Sequence, residues 1–243
     1  MTSKFDIHNQ FKEVKKERAK IDGKGLVLGR PAYTDDFAPQ DALVVKIIRS
    51  PHAFARILRI DTAKALELPG VICVLTHEDV ERIPITRAGQ GHPEPSPRDK
   101  FILDRYVRYV GDEAAVVAAE DEVTAELAAE LVEIEYEPLD PVLDFEKAMD
   151  NPVRVHPEDD IKENFPIGFE PERNIAAAYH MQVGDVDTVL ENSEITMRRS
   201  YYTQAQAHTA LEPHTAFTYL DLHDRLNVVT SPQNPFHTPR PMG

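Results

Sequence analysis

The stretch between residues 107 and 138 constrains the fold of this chain more than any other. Ala114-Ala115-Val116-Val117-Ala118-Ala119 is an uncharged run of small and β-branched residues, which predicts a short buried strand. A helix is predicted from about Glu122 to Glu130, with Val123, Leu127 and Leu131 on one face and an alanine-rich flank that allows close approach to a sheet. Val132-Glu133-Ile134-Glu135-Tyr136 then alternates as a half-buried strand does, and Pro138 and Pro141 end the unit. Before it, Val107 to Val110 is strand-like and Gly111-Asp112 is a turn. Strand, helix and strand in this order place the chain in the mixed α/β (α+β) class.

The same alternation begins upstream. Ala42 to Ile48 and Ile57 to Ile60 read as strands, Thr62 to Leu68 as a short helix capped by Asp61 and stopped by Pro69-Gly70, and Val71 to Leu75 as a buried strand. Thr76 is placed to cap a brief helix through Asp79. Residues 84–100 hold Pro84, Pro93, Pro95 and Pro97 with Gly89 and Gly91, the composition of a loop. A second proline-rich stretch, from about Asp150 to Arg173, reads as an extended connector. Beyond it a short helix is expected at Val186 to Glu191, a strand at Ile195 to Thr203, and a hairpin of Ala216 to Leu220 with Leu226 to Thr230. The expected layout is an N-terminal arm over 1–21, a first domain over 22–145, a connector over 146–175 and a second domain from 176 to 243.

Charge and cysteine usage narrow the chemistry. A formal net charge of −15 argues against a nucleic-acid groove or an anionic membrane surface, because counterion release needs clustered Lys and Arg. Protein and small-molecule partners remain. The single cysteine, Cys73, sits in an apolar run and reads as a core thiol; it can neither close an internal disulfide nor hold a four-thiolate cluster. The first residues lack the apolar core of a signal peptide, and no stretch is long enough to span a bilayer, so a cytoplasmic location is expected. Gly23-Lys24-Gly25-Leu26-Val27-Leu28-Gly29 has its third glycine one position late for a dinucleotide loop and no preceding strand.

The densest polar chemistry is Gln204-Ala205-Gln206-Ala207-His208-Thr209-Ala210-Leu211-Glu212-Pro213, followed by Ser231-Pro232-Gln233-Asn234-Pro235. His208 and Glu212 stand four apart, which on a helix is part of a zinc site; in an irregular segment they can instead stitch a turn by hydrogen bonds.

Several blocks in fixed order resemble the large subunit of the molybdenum hydroxylases, the xanthine dehydrogenase and aldehyde oxidase family. They are Gly29-Arg30-Pro31-Ala32-Tyr33-Thr34-Asp35-Asp36, Arg49-Ser50-Pro51-His52-Ala53-Phe54-Ala55-Arg56-Ile57, Pro69-Gly70-Val71 with Leu75 to Val80, Val107-Arg108-Tyr109-Val110-Gly111-Asp112, and Val132 to Leu139. The resemblance implies an α/β hammerhead domain followed by the first part of a molybdopterin-binding domain. It implies a molybdenum-molybdopterin cofactor, in the cytosine dinucleotide form, with [2Fe-2S] clusters and FAD on partner subunits. The implied reaction is oxidative hydroxylation of a purine or similar N-heterocycle, with water as the oxygen source. A non-catalytic docking module of such a complex is the alternative, and a zinc-dependent hydrolase a more distant one.

By the same resemblance, Gln233 matches the glutamine that hydrogen-bonds an oxygen ligand of the molybdenum, with Gln206, His208 and Glu212 supporting the pocket. A neutral amide can orient such ligands without changing the charge at the metal. The family's glycine-rich loop, cofactor-binding arginines and catalytic glutamate fall after Gly243 in family order. No catalytic base is therefore expected within this sequence, and the remaining molybdopterin-binding polypeptide is an expected partner. The sequence departs from the family at Pro232, Pro239 and Pro241, where proline removes backbone donors.

Overall fold

The computed structural model describes residues 17–31, 33–86, 96–161 and 166–232. The first part of the predicted arm, the centre of the predicted loop at 84–100, Gln233, Pro239 and Pro241 lie outside these residues. The chain divides into two compact units: residues up to Gln40 with those from His208, and the stretch from Asp41 to Ala207.

The larger unit is built on two three-stranded antiparallel sheets. In the first, β1 (Val44–Arg49) and β3 (Val71–Leu75) flank β5 (Glu113–Ala119). In the second, β4 (Tyr106–Val107) and β6 (Glu133–Pro138) flank β2 (Ala55–Asp61). The uncharged run of β5 follows from its place. Paired on both edges, it buries Ala114, Ala115, Val117 and Ala119 completely.

Helix α3 (Glu122–Leu131) covers the first sheet and packs against β1, β5 and α2 (Ala63–Leu66). Asp121 caps it, its carboxylate accepting from Thr124 N at 2.9 Å and from Thr124 Oγ1 at 2.9 Å; such a cap contributes about 1 kcal/mol. The face that α3 buries is the alanine one, Ala125 and Ala128. As the alanine-rich flank predicted, it is this side that approaches the sheet, while Val123 and Leu127 are 67% and 50% exposed. Small side chains on both α3 and β5 let the backbones close together, and that contact wins over the larger side chains. Ala65, Val74, Val117, Ala128 and Val132 form one core; Ala55, Ile57, Val107 and Ala114 form another. Ile60 and Ile134 pack against both, which joins the two sheets.

Other expectations need correction. Cys73 is only half-buried, because β3 is an edge strand that leaves Ile72 and Leu75 exposed. Thr76 begins a turn and not a helix: Asp79 Oδ2 accepts from Thr76 N and Oγ1, both at 2.8 Å, and this hydrogen bonding holds the Asp79 carboxyl below its ordinary range. Residues 195–203 form no strand and are exposed throughout, since a β-forming segment needs a paired edge and none of the described strands pairs with it. The helix at Val186–Glu191 (α4) is present, capped by Asp185.

In the smaller unit, residues Gly23–Val27 form a five-residue helix, α1, where the glycine-spaced motif stands. Thr34–Phe37 is a 3-10 turn, and β7 (Ala216–Leu220) and β8 (Leu226–Thr230) make the expected hairpin, with Ala216 opposite Thr230 and Leu220 opposite Leu226. The Asp221 carboxylate organises the hairpin's loop. It accepts from His223 N at 2.8 Å and from Arg225 N at 3.1 Å, and Arg225 Nε donates to it at 2.8 Å; Arg225 first, then these amides, hold its pKa down. Among the described residues no helix is long and apolar enough to cross a membrane.

Candidate functional site

The polar run that drew attention in the sequence has no regular secondary structure from 195 to 215. Without a helix, the four-residue spacing does not put His208 and Glu212 on a common face. Among the described residues no group of three His, Cys, Asp or Glu side chains could hold a metal ion, so the zinc reading gains no support. Gln206 and His208 are exposed, and Glu212 is half-buried. Glu212 has a defined role within the smaller unit: its Oε1 accepts a hydrogen bond from Thr34 N at 2.9 Å, across 178 residues of sequence. Thr34, only 8% exposed, opens the 3-10 turn, and the turn packs against β7. The leading candidate, Gln233, lies outside the described residues; Pro232 beside it is exposed.

Gln206, His208 and Glu212 have the chemistry to hydrogen-bond a polar cofactor. They do not by themselves enclose a group of pterin size, because two of the three face open solvent.

The most deeply buried charges lie elsewhere, in the larger unit, and sequence reasoning did not find them. Arg108 is the centre of the cluster. Its Nη1 donates to Asp104 Oδ2 at 2.8 Å and to the Tyr106 carbonyl at 3.3 Å, its Nε donates to the Val155 carbonyl at 3.2 Å, and its Nη2 donates to Glu158. Arg82 adds ion pairs to Asp104 at 2.5 Å, Asp160 at 2.9 Å and Glu158 at 3.6 Å, with its guanidinium 3.6 Å over the Phe101 ring. The side chains of Asp104 and Glu158 are 3% and 0% exposed. Burial alone raises the pKa of Glu158, but the neighbouring His156, whose Nδ1 lies 3.8 Å from Glu158 Oε1, and the Arg108 charge outweigh it and bring the pKa below the ordinary value.

A second buried carboxylate, Asp112, accepts from Lys100 Nζ and from Arg108 N, the latter at 2.7 Å. Gly111, at φ +94°, makes the turn between them, and its N–H reaches the Ser50 carbonyl at 2.8 Å. The block from Val107 to Asp112 is thus a structural clasp. Its legible signal was an arginine and an aspartate set around a turn glycine. Through Val155 and Glu158 the clasp ties residues 155–158 to the sheet that carries β4. Further along, Asn174, at φ +59°, closes the same region by donating to the carbonyls of Ala148 at 3.0 Å and Val153 at 2.8 Å while accepting from Val155 N at 2.9 Å.

Comparison with known proteins places this architecture. Residues 28–140 match the aldehyde oxidase and xanthine dehydrogenase a/b hammerhead domain, and residues 169–242 match the molybdopterin cofactor-binding domain. The chain therefore belongs to the xanthine dehydrogenase and aldehyde oxidase family of molybdenum hydroxylases, as an α/β hammerhead followed by the first part of a molybdopterin-binding domain. Within that family it is similar to a probable hypoxanthine oxidase of Escherichia coli O157:H7, at 38% identity over 97% of this chain and 28% of that protein. It is also similar to the xanthine dehydrogenase molybdenum-binding subunit of the same organism, at 32% identity over 92% of this chain and 29% of that protein. This chain thus spans little more than a quarter of the length of these relatives. Among solved structures, a Cu,Mo-CO dehydrogenase superposes with a TM-score of 0.70 at 27% identity, over 92% of this chain and 28% of that one. The aldehyde oxidoreductase of Desulfovibrio gigas gives 0.67 at 25% identity, over 86% and 23%.

Proposed function

We propose that this chain is the N-terminal portion of the molybdopterin-binding subunit of a xanthine dehydrogenase-like enzyme that hydroxylates a purine or similar N-heterocycle, taking the oxygen from water. The observation that carries the reading is the 38% identity to a probable hypoxanthine oxidase along 97% of the chain, joined by a xanthine dehydrogenase subunit over the same region. In this reading the cofactor is molybdenum-molybdopterin, as the cytosine dinucleotide. The remainder of the molybdopterin-binding polypeptide closes the pocket, and an iron-sulfur subunit with [2Fe-2S] clusters and an FAD subunit carry the electrons away. The one half-buried cysteine agrees with this division, since a cluster needs four thiolates.

Gln233 is the proposed contact to an oxygen ligand of the molybdenum, with Gln206 and His208 lining the approach. The test is to purify the assembled protein, assay molybdenum and the nucleotide released on acid hydrolysis, and measure turnover on hypoxanthine, xanthine, nicotinate and an aldehyde. Molybdenum with cytidine nucleotide and preferred turnover of a purine are expected; a preferred aldehyde, or zinc in place of molybdenum, refutes the reading. At equal molybdenum content, Gln233→Ala is expected to lower turnover roughly 10- to 1000-fold, by analogy with the loss of a single polarising donor in other enzymes. Unchanged turnover rejects that residue's role.

A further inference from the structure

We propose that Glu212 is a positioning residue: it accepts the Thr34 N–H and so fastens the 3-10 turn Thr34–Phe37 to the segment that leads from His208 into β7, acting as an acceptor and not as a charge directed at the cofactor. Its link to catalysis rests on the reading given under Proposed function. The first amides of any helical turn lack partners within the turn. Here the Tyr33 amide is satisfied locally by Asp36 Oδ2 at 2.9 Å, while the Thr34 amide, on a residue 8% exposed, is satisfied by Glu212 Oε1 at 2.9 Å. A buried donor left without an acceptor is costly, so this contact ties two distant parts of the sequence together. Pro213 follows directly and biases the backbone of Glu212 toward an extended conformation.

The electrostatics indicate that the negative charge is dispensable. The turn already carries Asp35 and Asp36, and among the described residues no cation forms an ion pair with Glu212. A neutral carbonyl oxygen in the same place would accept the same hydrogen bond without adding a third negative charge. That separates this role from one in which Glu212 holds a proton or orients a charged group of the cofactor.

The backbone offers an independent perturbation of the donor. Thr34 is the first residue of the turn, where proline is well tolerated, and Tyr33 before it is extended at φ −97°, ψ 155°, as a residue preceding proline must be. Thr34→Pro therefore deletes the N–H while keeping the turn, with Thr34→Ala as the side-chain control. In the intact, cofactor-loaded protein, Glu212→Ala is expected to speed amide exchange in a peptide covering 33–38 roughly 10- to 100-fold, the loss expected for a hydrogen bond to a carboxylate. Glu212→Gln recovers most of that protection and most of any kcat lost in Glu212→Ala. Adding Glu212→Ala to Thr34→Pro produces little further change in the exchange of residues 35–38. Unaltered exchange in Glu212→Ala, or Glu212→Gln as damaging to kcat as Glu212→Ala, overturns the proposal. Should the protein contain no molybdenum while the exchange pattern appears as expected, the fastening stands and the functional reading fails.

Discussion

Replacing Arg108 by methionine keeps most of the side chain's apolar length while deleting the charge at the centre of the buried clasp. The variant loses the guanidinium's hydrogen bonds to Asp104, Glu158 and the carbonyls of Tyr106 and Val155. It leaves two carboxylates, 3% and 0% exposed, with one cation between them instead of two, because Arg82 still pairs with Asp104 at 2.5 Å and with Glu158 at 3.6 Å. Stripping one partner from a buried pair costs about 3–5 kcal/mol; the surviving Arg82 places the expected cost at about 3–4 kcal/mol on that scale. With a urea m-value of about 2–3 kcal/mol/M, the unfolding midpoint of the intact protein should fall by roughly 1–2 M. The control is Arg56→Met, which breaks an ion pair to Glu137 of 2.8 Å whose side chains are 47% and 46% exposed, and which should cost at most about 1 kcal/mol. Adding Glu158→Gln to Arg108→Met should restore part of the loss by removing one of the stranded charges. A midpoint for Arg108→Met within about 0.3 M of the parent, equal to the control, would refute the claim that the clasp holds the connector by charge.

Three further outcomes follow from other parts of the structure. Glu158, Asp160, Asp121, Asp150 and Asp221 all have folded-state pKa values below their ordinary ones. Their stabilisation is therefore complete above about pH 4.5 and is lost as pH falls through the lower folded values; the urea midpoint should drop on acidification from pH 5 to pH 3, and a rise would contradict it. Ala128→Leu, which overfills the contact between α3 and the first sheet, should cost about 1–3 kcal/mol in urea unfolding, whereas Val123→Ser on the exposed face should change stability by less than about 0.5 kcal/mol. Gly168 lies at φ +71°, and a Cβ there would sit 2.8 Å from Ala178 Cβ; Gly168→Ala should cost about 1–3 kcal/mol and make residues 166–178 cleave faster in limited proteolysis.

What could be read from the sequence divides along the range of the interactions. The unit from β5 to β6 was legible because its signals are local: a small-residue run, a helical face with an alanine-rich flank, an alternation ended by proline. The hairpin at 216–230 was legible for the same reason, with Asp221 organising its own turn. The alanine-rich flank was legible as the side of α3 that approaches the sheet, because small side chains let two backbones come close, and Ala125 and Ala128 are what the helix buries there while Val123 and Leu127 stay exposed. Residues 195–203 have strand composition but no partner among the described strands, and pairing is not a property of a single segment. Only the local part of the clasp, an arginine and an aspartate around Gly111, leaves a signal in the sequence; Arg108 meets Glu158 across fifty residues, and no periodicity encodes such a pairing. At the site, resemblance supplied candidates while geometry separated them: Glu212 is committed to Thr34, and Gln206 and His208 stand open.

The order of strands has a consequence for how the chain is made. β5 is the centre of its sheet, yet it emerges after both of its neighbours. On the ribosome, β1 and β3 must wait as unpaired edges while the chain lengthens from Leu75 to Glu113, about 2–8 s at bacterial or eukaryotic elongation rates. β2 likewise waits for β4 and β6. Neither sheet can close by local zipping, so each must wait for a strand far along the sequence. During that interval the exposed strand edges are the nascent chain's greatest hazard for aggregation and the natural place for a chaperone to hold it.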